Sequence, residues 1–218
     1  MTLKLKFLIF LTAASLSSLT ASAESISEEP ARNNPLEADM VWIPPGLFLF
    51  GTDKRDETGE ALSIGLPKPW YADETPRQKI FLKGFYIDRH EATHRRYKIY
   101  VDDLGAIPPP YWENDSFPEG QEDLPVTWTT WFDAANFCQW AGKRLPTEKE
   151  WERAARGTDG NLYPWGNIFN VEYANLAGKA GGKNALAPVG SYPKGASPEG
   201  ALDLVGNVWE WTADDYGP

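Results

Sequence analysis

LPVTWTTWFDAANFCQWAGKRLPTEKEWERAARG, residues 124 to 157, contains two helix starts of one design. Thr130-Trp131-Phe132-Asp133 and Thr147-Glu148-Lys149-Glu150 each place a carboxylate three residues after a threonine. At that spacing the hydroxyl accepts from the third backbone N–H, and the carboxylate accepts from the threonine's own N–H. Ala134, Phe137, Cys138 and Ala141 then share one helical face until Gly142. Trp151, Ala154 and Ala155 follow the second start until Gly157. Two short helices in succession, each stopped by a glycine, are the expectation.

Working upstream, Thr93 is an N-cap candidate, and Tyr97, Tyr100, Val101 and Leu104 recur at helical spacing before Gly105. Before that helix, KIFLKGFYID, residues 79 to 88, reads as two short strand pieces around Gly84 with a bulge or tight turn between them. MVWIPPGLFLFGTD, residues 40 to 53, reads as a hairpin turning at Pro44-Pro45-Gly46. Residues 53 to 76 and 106 to 124 are expected to be loops. Downstream of 157 the chain is rich in turn residues, with Val189 to Tyr192 the best strand candidate.

Ten Trp, nine Tyr and ten Phe beside 19 Gly and 18 Pro, in 218 residues, fit aromatic cores between irregular segments. A loop-heavy fold is therefore expected. The first 23 residues carry Lys4 and Lys6, an apolar run from Leu5 to Leu19 and the small-residue ending Ala21-Ser22-Ala23, which reads as a signal peptide and a periplasmic or secreted address. The apolar run is diluted by Ser and Thr and falls short of the roughly 20 residues a membrane span needs, so no stable span is expected after cleavage. Residues 24 to 39 read as a flexible linker, and residues 40 to 218 as one domain.

The formal net charge is −10, and cleavage removing Lys4 and Lys6 takes it to about −12, which argues against nucleic acid as a partner. Cys138 is the single cysteine. Within this chain it has no disulfide partner, so it is either a buried thiol or half of a pair whose other half lies elsewhere.

Several separated motifs agree on a family. MVWIPPGLFLFGTD, ETPRQKIFLKGFYIDRHEAT, the stretch at 124 to 157, YPWGN and LDLVGNVWEW occur in an order and spacing that resembles the formylglycine-generating enzyme family, also called the sulfatase-modifying factor domain. The resemblance covers residues 40 to 218. It implies an irregular, loop-rich α+β domain of C-type lectin-like fold with short helices and small antiparallel sheets, stabilised by calcium, and in some members copper-dependent oxidation of a sulfatase cysteine to formylglycine. Other members are non-catalytic binding or assembly modules, so membership leaves activity open. A sulfatase, or another exported protein or peptide, is the partner the resemblance implies.

By the same resemblance, one calcium site would use the Asp203 side chain, the Gly206 and Val208 carbonyls and the Glu210 side chain, an all-oxygen set suited to a hard cation. The alternative is that Asp203 and Glu210 cap turns while Trp209 and Trp211 pack below. A second site would begin at Asn175 and Leu176, but Gly181 and Lys183 stand where the family places an Asp and a carbonyl donor. The family's copper-binding cysteines belong to a segment after an R-G-G-S-W motif, and this sequence ends at Asp214-Asp215-Tyr216-Gly217-Pro218. The expectation is a C-terminally incomplete domain, either a fragment or a shortened member, with copper relevant only if that segment exists. No catalytic residue is assigned. Cys138 sits at the family's structural A-x-F-C-x-W position, and GKAGGK, residues 178 to 183, has the wrong spacing for a phosphate loop.

One motif points elsewhere. HEATH, residues 90 to 94, matches the zinc-peptidase pattern H-E-x-x-H, which needs both imidazoles on one helical face and a third ligand. Here His90 closes a strand-like run and Thr93 is the expected N-cap, so the two histidines should project from different backbone geometries. A helix start is the reading adopted.

Overall fold

The computed structural model of the chain describes residues 40 to 55, 72, 74 to 176 and 185 to 215. The expected signal peptide, the linker and positions 181 and 183 lie outside the described residues.

Four strands come first: β1 Met40–Ile43, β2 Gly46–Phe50, β3 Gln78–Leu82 and β4 Phe85–Asp88. The expected hairpin at 40 to 53 does not form. β1 pairs antiparallel with β4, and β2 with β3. Ile43 lies opposite Phe85 and Gly46 opposite Leu82, so the register is continuous across the two pairs. They form a single long ribbon whose ladder is interrupted where Pro44 and Pro45, which have no N–H to donate, face Gly84 and Lys83. Two prolines followed by glycine looked like a turn because turns and ladder breaks use the same residues. Gly84 is needed at the break: a side chain there would collide with the Trp42 indole and reach Pro45.

The helices follow the local code. α1, His94–Leu104, is capped by Thr93, whose hydroxyl accepts from the Arg96 N–H, and ends at Gly105 with φ 63°. α2, Trp131–Trp140, and α3, Glu148–Arg156, both show the complete capping box expected from Thr130 with Asp133 and Thr147 with Glu150. Arg144 grips Glu150 through two 2.7 Å hydrogen bonds, which tie the α2–α3 connection to the cap. Past Gly157 the named elements among the described residues are 3-10 turns at Val171–Tyr173 and Pro193–Gly195. The expected strand at 189 to 192 is instead a turn. Gly190 has φ 74°, its N–H donates to Asp203 Oδ2 at 2.6 Å, and Ser191 N–H turns back to the Pro188 carbonyl.

The core is divided. Tyr97, Tyr100, Val101, Trp112 and Phe137 form an aromatic cluster between α1, α2 and the loop at 106 to 124. Val41 and Ile43 of β1 pack on Ala154 of α3, and on the next face Ala155 meets Ala201 and Leu204. Small alanines let the helix approach both the ribbon and the C-terminal run closely. That run is also tied by backbone: Leu202 N–H donates to the Arg89 carbonyl, and Ala213 N–H to that of Pro146. Residues 202 to 213 are thereby drawn across the end of β4 and the start of α3.

Candidate metal centre

Residues 203 to 210 form an irregular loop held in an unusual backbone. Asp203 and Asn207 have φ 59° and 55°, and Gly206 lies between them at 82°. Only Gly adopts this region without cost, and Asn and Asp tolerate it. Gly206 also passes directly against Asn175, whose carbonyl a Cβ at 206 would strike, and the two residues form a parallel bridge. The Asn207 N–H donates to the Asn175 carbonyl at 2.9 Å. The two runs named from sequence, Asn175-Leu176 and Asp203 to Glu210, are thus in contact.

Asn207 holds them together. Its Oδ1 accepts from the Ala187 N–H at 2.9 Å and from Asn175 Nδ2 at 2.8 Å. Its Nδ2 donates to the Ala187 carbonyl at 3.2 Å and to Glu91 Oε1 at 3.0 Å. Every hydrogen-bonding position of one amide joins a different partner group, so the side chain can point only one way. Glu91 and Asn175 are 8% and 7% exposed, yet Glu91 Oε2 and Asn175 Oδ1 are buried without a hydrogen-bond partner. Buried polar atoms normally find partners.

The electrostatics are one-sided. Burial, then the charges of Asp203 and Glu210, push the Glu91 carboxyl up to about 9. Glu210 stays open to solvent through the adjoining cavity, but protein crowding its carboxyl, aided by Asp203, pushes it up to about 7 against the opposing hydrogen bond from the Trp151 indole. Neither Glu91 nor Glu210 forms an ion pair among the described residues. Asp88 differs: Lys143 and Arg96 hold it at 2.6 and 3.1 Å.

The buried atoms left without partners beside this loop, Glu91 Oε2 and Asn175 Oδ1, are oxygens, the donor type that suits calcium better than a soft metal. Among the described residues no three carboxylate, imidazole or thiol side chains gather closely enough to hold an ion by themselves. A site on Asp203 and Glu210 therefore has to take its remaining donors from backbone, as the Gly206 and Val208 carbonyls would supply. For the run at Asn175 and Leu176, the Asn175 carbonyl is taken by Asn207 and its Oδ1 is the free donor.

A cavity of about 580 Å³ adjoins the loop, lined by Glu91, Val208, Trp209, Glu210 and Trp211 on one side and by β4, α2 and Leu145-Pro146 on the other. Trp209 is fully exposed, and the Trp211 indole N–H donates to the Thr129 carbonyl at 3.0 Å. Trp209 and Trp211 thus rim an open space and do not pack beneath the loop. Cys138 also lines the cavity, half-buried, and burial with Asp88 nearby pushes its thiol up to about 11. Those surroundings disfavour the thiolate that a nucleophile or a metal ligand needs.

HEATH resolves into a helix start. His94 is 1% exposed, its Nδ1 donates to the Gln121 carbonyl at 2.7 Å, and its Nε2 accepts from the Tyr111 hydroxyl at 2.6 Å. Phe117 stacks on the ring, and burial pushes its pKa down. Both nitrogens are engaged. His90 turns Nδ1 to the Glu91 carbonyl in the bend before the cap. The chemically important residue of HEATH is the one between them, Glu91, which sequence reading passed over along with Asn207. A glutamate between His90 and Ala92, two residues before the Thr93 cap, was the available signal.

Residues 25–218 match the family described as a sulfatase-modifying factor enzyme 1-like domain. The chain belongs to that family. Inactive C-alpha-formylglycine-generating enzyme 2 of Mus musculus is 34% identical over 216 residues, a match covering 82% of this chain and 70% of the relative. Formylglycine-generating enzyme of Mus musculus is 31% identical over 228 residues, covering 80% of this chain and 58% of the relative. Among solved structures, PvdO from Pseudomonas aeruginosa aligns with a TM-score of 0.63 and 27% identity, over 82% of this chain and 71% of that one. The fold is accordingly the loop-rich C-type lectin-like one expected for this family. Its sulfatase-modifying factor members carry both an activity and an inactive form in their names, so the sites have to be argued from this chain's own residues.

Proposed function

We propose that the chain is an exported, calcium-stabilised binding domain of the sulfatase-modifying factor family, whose cavity receives a segment of a sulfatase or another exported protein. The observation that carries this reading is the mutual repulsion of Asp203, Glu210 and the buried Glu91 around a loop held in left-handed backbone, with no ion pair for Glu91 or Glu210 among the described residues. Asp203 and Glu210, with the Gly206 and Val208 carbonyls, would hold the ion, and Asn175 and Leu176 would supply donors for a second. Calcium bound there neutralises carboxylates that otherwise repel, and so fixes the Trp209 to Trp211 rim of the cavity.

Copper does not fit the residues present. Cys138 is the one thiol of this sequence, and its surroundings keep it protonated. A second reading, oxidation of a partner's cysteine, is favoured by the similarity to mouse formylglycine-generating enzyme. It would require thiols that residues 1 to 218 do not supply.

Calcium titration of the chelator-treated protein, followed by thermal unfolding, tests the first reading. Ligand binding to the native state alone raises the midpoint in proportion to the logarithm of ligand concentration. A rise with calcium that Asp203→Ala or Glu210→Gln abolishes is expected, and no shift at millimolar calcium refutes it. Incubation with a cysteine-containing sulfatase peptide and copper separates the two readings: binding without loss of the peptide thiol supports a binding domain, whereas conversion to an aldehyde supports the oxidase.

A further inference from the structure

We propose that an exposed aromatic surface beside the cavity, centred on Trp128, docks an arginine- or lysine-bearing segment of a partner protein. This inference rests on the reading of the chain as a binding domain and names the chemistry of what it binds. Two runs build the surface, WTTWFD at 128 to 133 and WEWTADD at 209 to 215. Reciprocal indole hydrogen bonds staple them together: Trp211 Nε1 donates to the Thr129 carbonyl at 3.0 Å, and Trp131 Nε1 to the Thr212 carbonyl at 2.8 Å. Thr129, Trp209 and Trp211 line the cavity. On the same two runs Trp128 is 79% exposed and Phe132 73%.

Trp128 is held in a conformation that a bulky residue enters only at a cost, with φ 60°. Its neighbours impose that backbone. Thr127 donates its N–H and hydroxyl to the Tyr111 hydroxyl at 3.3 and 3.4 Å, the Thr129 carbonyl is held by Trp211, and Thr130 is locked in the capping box of α2. Glycine or asparagine would make this turn with less strain. Most of the indole lies in solvent, so packing does not repay the strain, and exposed Trp beside further exposed aromatics is the composition of a protein-binding surface.

Charge selects the partner. The two runs hold five aromatic and four acidic residues and no Lys or Arg. Asp133, Glu210, Asp214 and Asp215 form no ion pair among the described residues, whereas Asp88, Asp102, Glu150, Glu152 and Glu199 each form one. The Asp133 and Asp214 carboxylates accept from the Thr130 and Glu148 N–H groups, which leaves their negative charge in place. The basic residues of the cavity wall, Lys143 and Arg144, are paired with Asp88 and Glu150. Calcium on Glu210 would leave the other three carboxylates of the surface uncompensated. Indole faces and uncompensated carboxylates attract the same ligand, a cation, and guanidinium best, because it stacks on a ring while donating to carboxylates. An anionic segment is repelled.

The test is calorimetric titration of the full chain, in calcium-containing buffer, with an Arg-Gly-Ser repeat peptide and its Lys and Glu counterparts of equal length. The Arg peptide is expected to bind, the Lys peptide to bind more weakly and the Glu peptide not to bind, with added salt weakening the first two. Trp128→Asn is expected to lower the Arg-peptide affinity about threefold or more, while its urea midpoint holds or rises because Asn tolerates the left-handed backbone. Equal affinity for the Arg and Glu peptides, or an Arg-peptide affinity that Trp128→Asn leaves unchanged, overturns the proposal. Self-association of the parent that Trp128→Asn abolishes also overturns it, assigning the surface to a second copy. Should the asparagine variant fold poorly, Asp215→Lys at an exposed position replaces it, and unchanged Arg-peptide affinity there overturns the proposal in the same way. Absence of Arg-peptide binding refutes this inference alone, whereas conversion of the cysteine-containing sulfatase peptide to an aldehyde refutes the binding-domain reading.

Discussion

In calcium-free buffer the protein should lose stability as pH rises from about 5 to 9, and Glu91→Gln should remove most of that loss. The Glu91 carboxyl stands at about 9 in the folded chain, against an ordinary value of 4.5. Between those values the native state holds a proton that the unfolded state has released. Stability then falls with rising pH, because its slope follows the protons bound by the unfolded state minus those bound by the native state. The contribution is complete below 4.5 and is lost as pH climbs towards 9. One proton of difference gives at most about 1.4 kcal/mol per pH unit, so the loss between pH 5 and 8 should be ~2–4 kcal/mol. That is a measurable share of a stability of roughly 5–15 kcal/mol. Glu210, pushed up to about 7, acts in the same direction over the lower part of the window. His94 acts in the opposite direction below its ordinary value of 6.5, because burial lowers its pKa and the native state then holds fewer protons. The informative quantity is therefore the difference between parent and Glu91→Gln, obtained from urea unfolding at several pH values in chelator. A difference that is flat with pH, or that rises, refutes the reasoning. Added calcium should flatten the parent's profile, since a bound cation holds the carboxylates ionised.

Gly84→Ala should destabilise the protein by about 1–3 kcal/mol, because its Cβ meets the Trp42 indole where the ribbon ladder is broken; chemical denaturation checks this, and a change under 0.5 kcal/mol would show that Trp42 can move aside at no cost. Cys138 should react with iodoacetamide at pH 7.5 at least tenfold more slowly than a free thiol near 8.5, since its thiol stands at about 11; mass spectrometry of the native protein reads the rate, and alkylation at the free-thiol rate would show that the site is not as buried as drawn.

The helices were legible because their signals are local. A threonine hydroxyl and a carboxylate three residues on satisfy one another wherever the chain lies, so Thr130 with Asp133 and Thr147 with Glu150 marked both starts correctly. The ribbon was not legible. Met40 pairs with Asp88 and Phe50 with Gln78, and Pro44-Pro45-Gly46 has the same composition whether it turns the chain or interrupts a ladder. Val189 to Tyr192 failed as a strand for a related reason: Gly190 is bent by a hydrogen bond to Asp203, a partner that no window around 190 contains.

The sequence alone determined the family and the helix starts, because those depend on residue identity and short spacing. Tertiary structure decided what surrounds the loop at 203 to 210. It engaged both ring nitrogens of His94, exposed Trp209 and Trp211 at a cavity, and buried Glu91 beside Asn207 with one oxygen unpartnered. Burial and charge coupling are properties of neighbours brought together from distant parts of the chain, and that is where the chemistry of this loop is set.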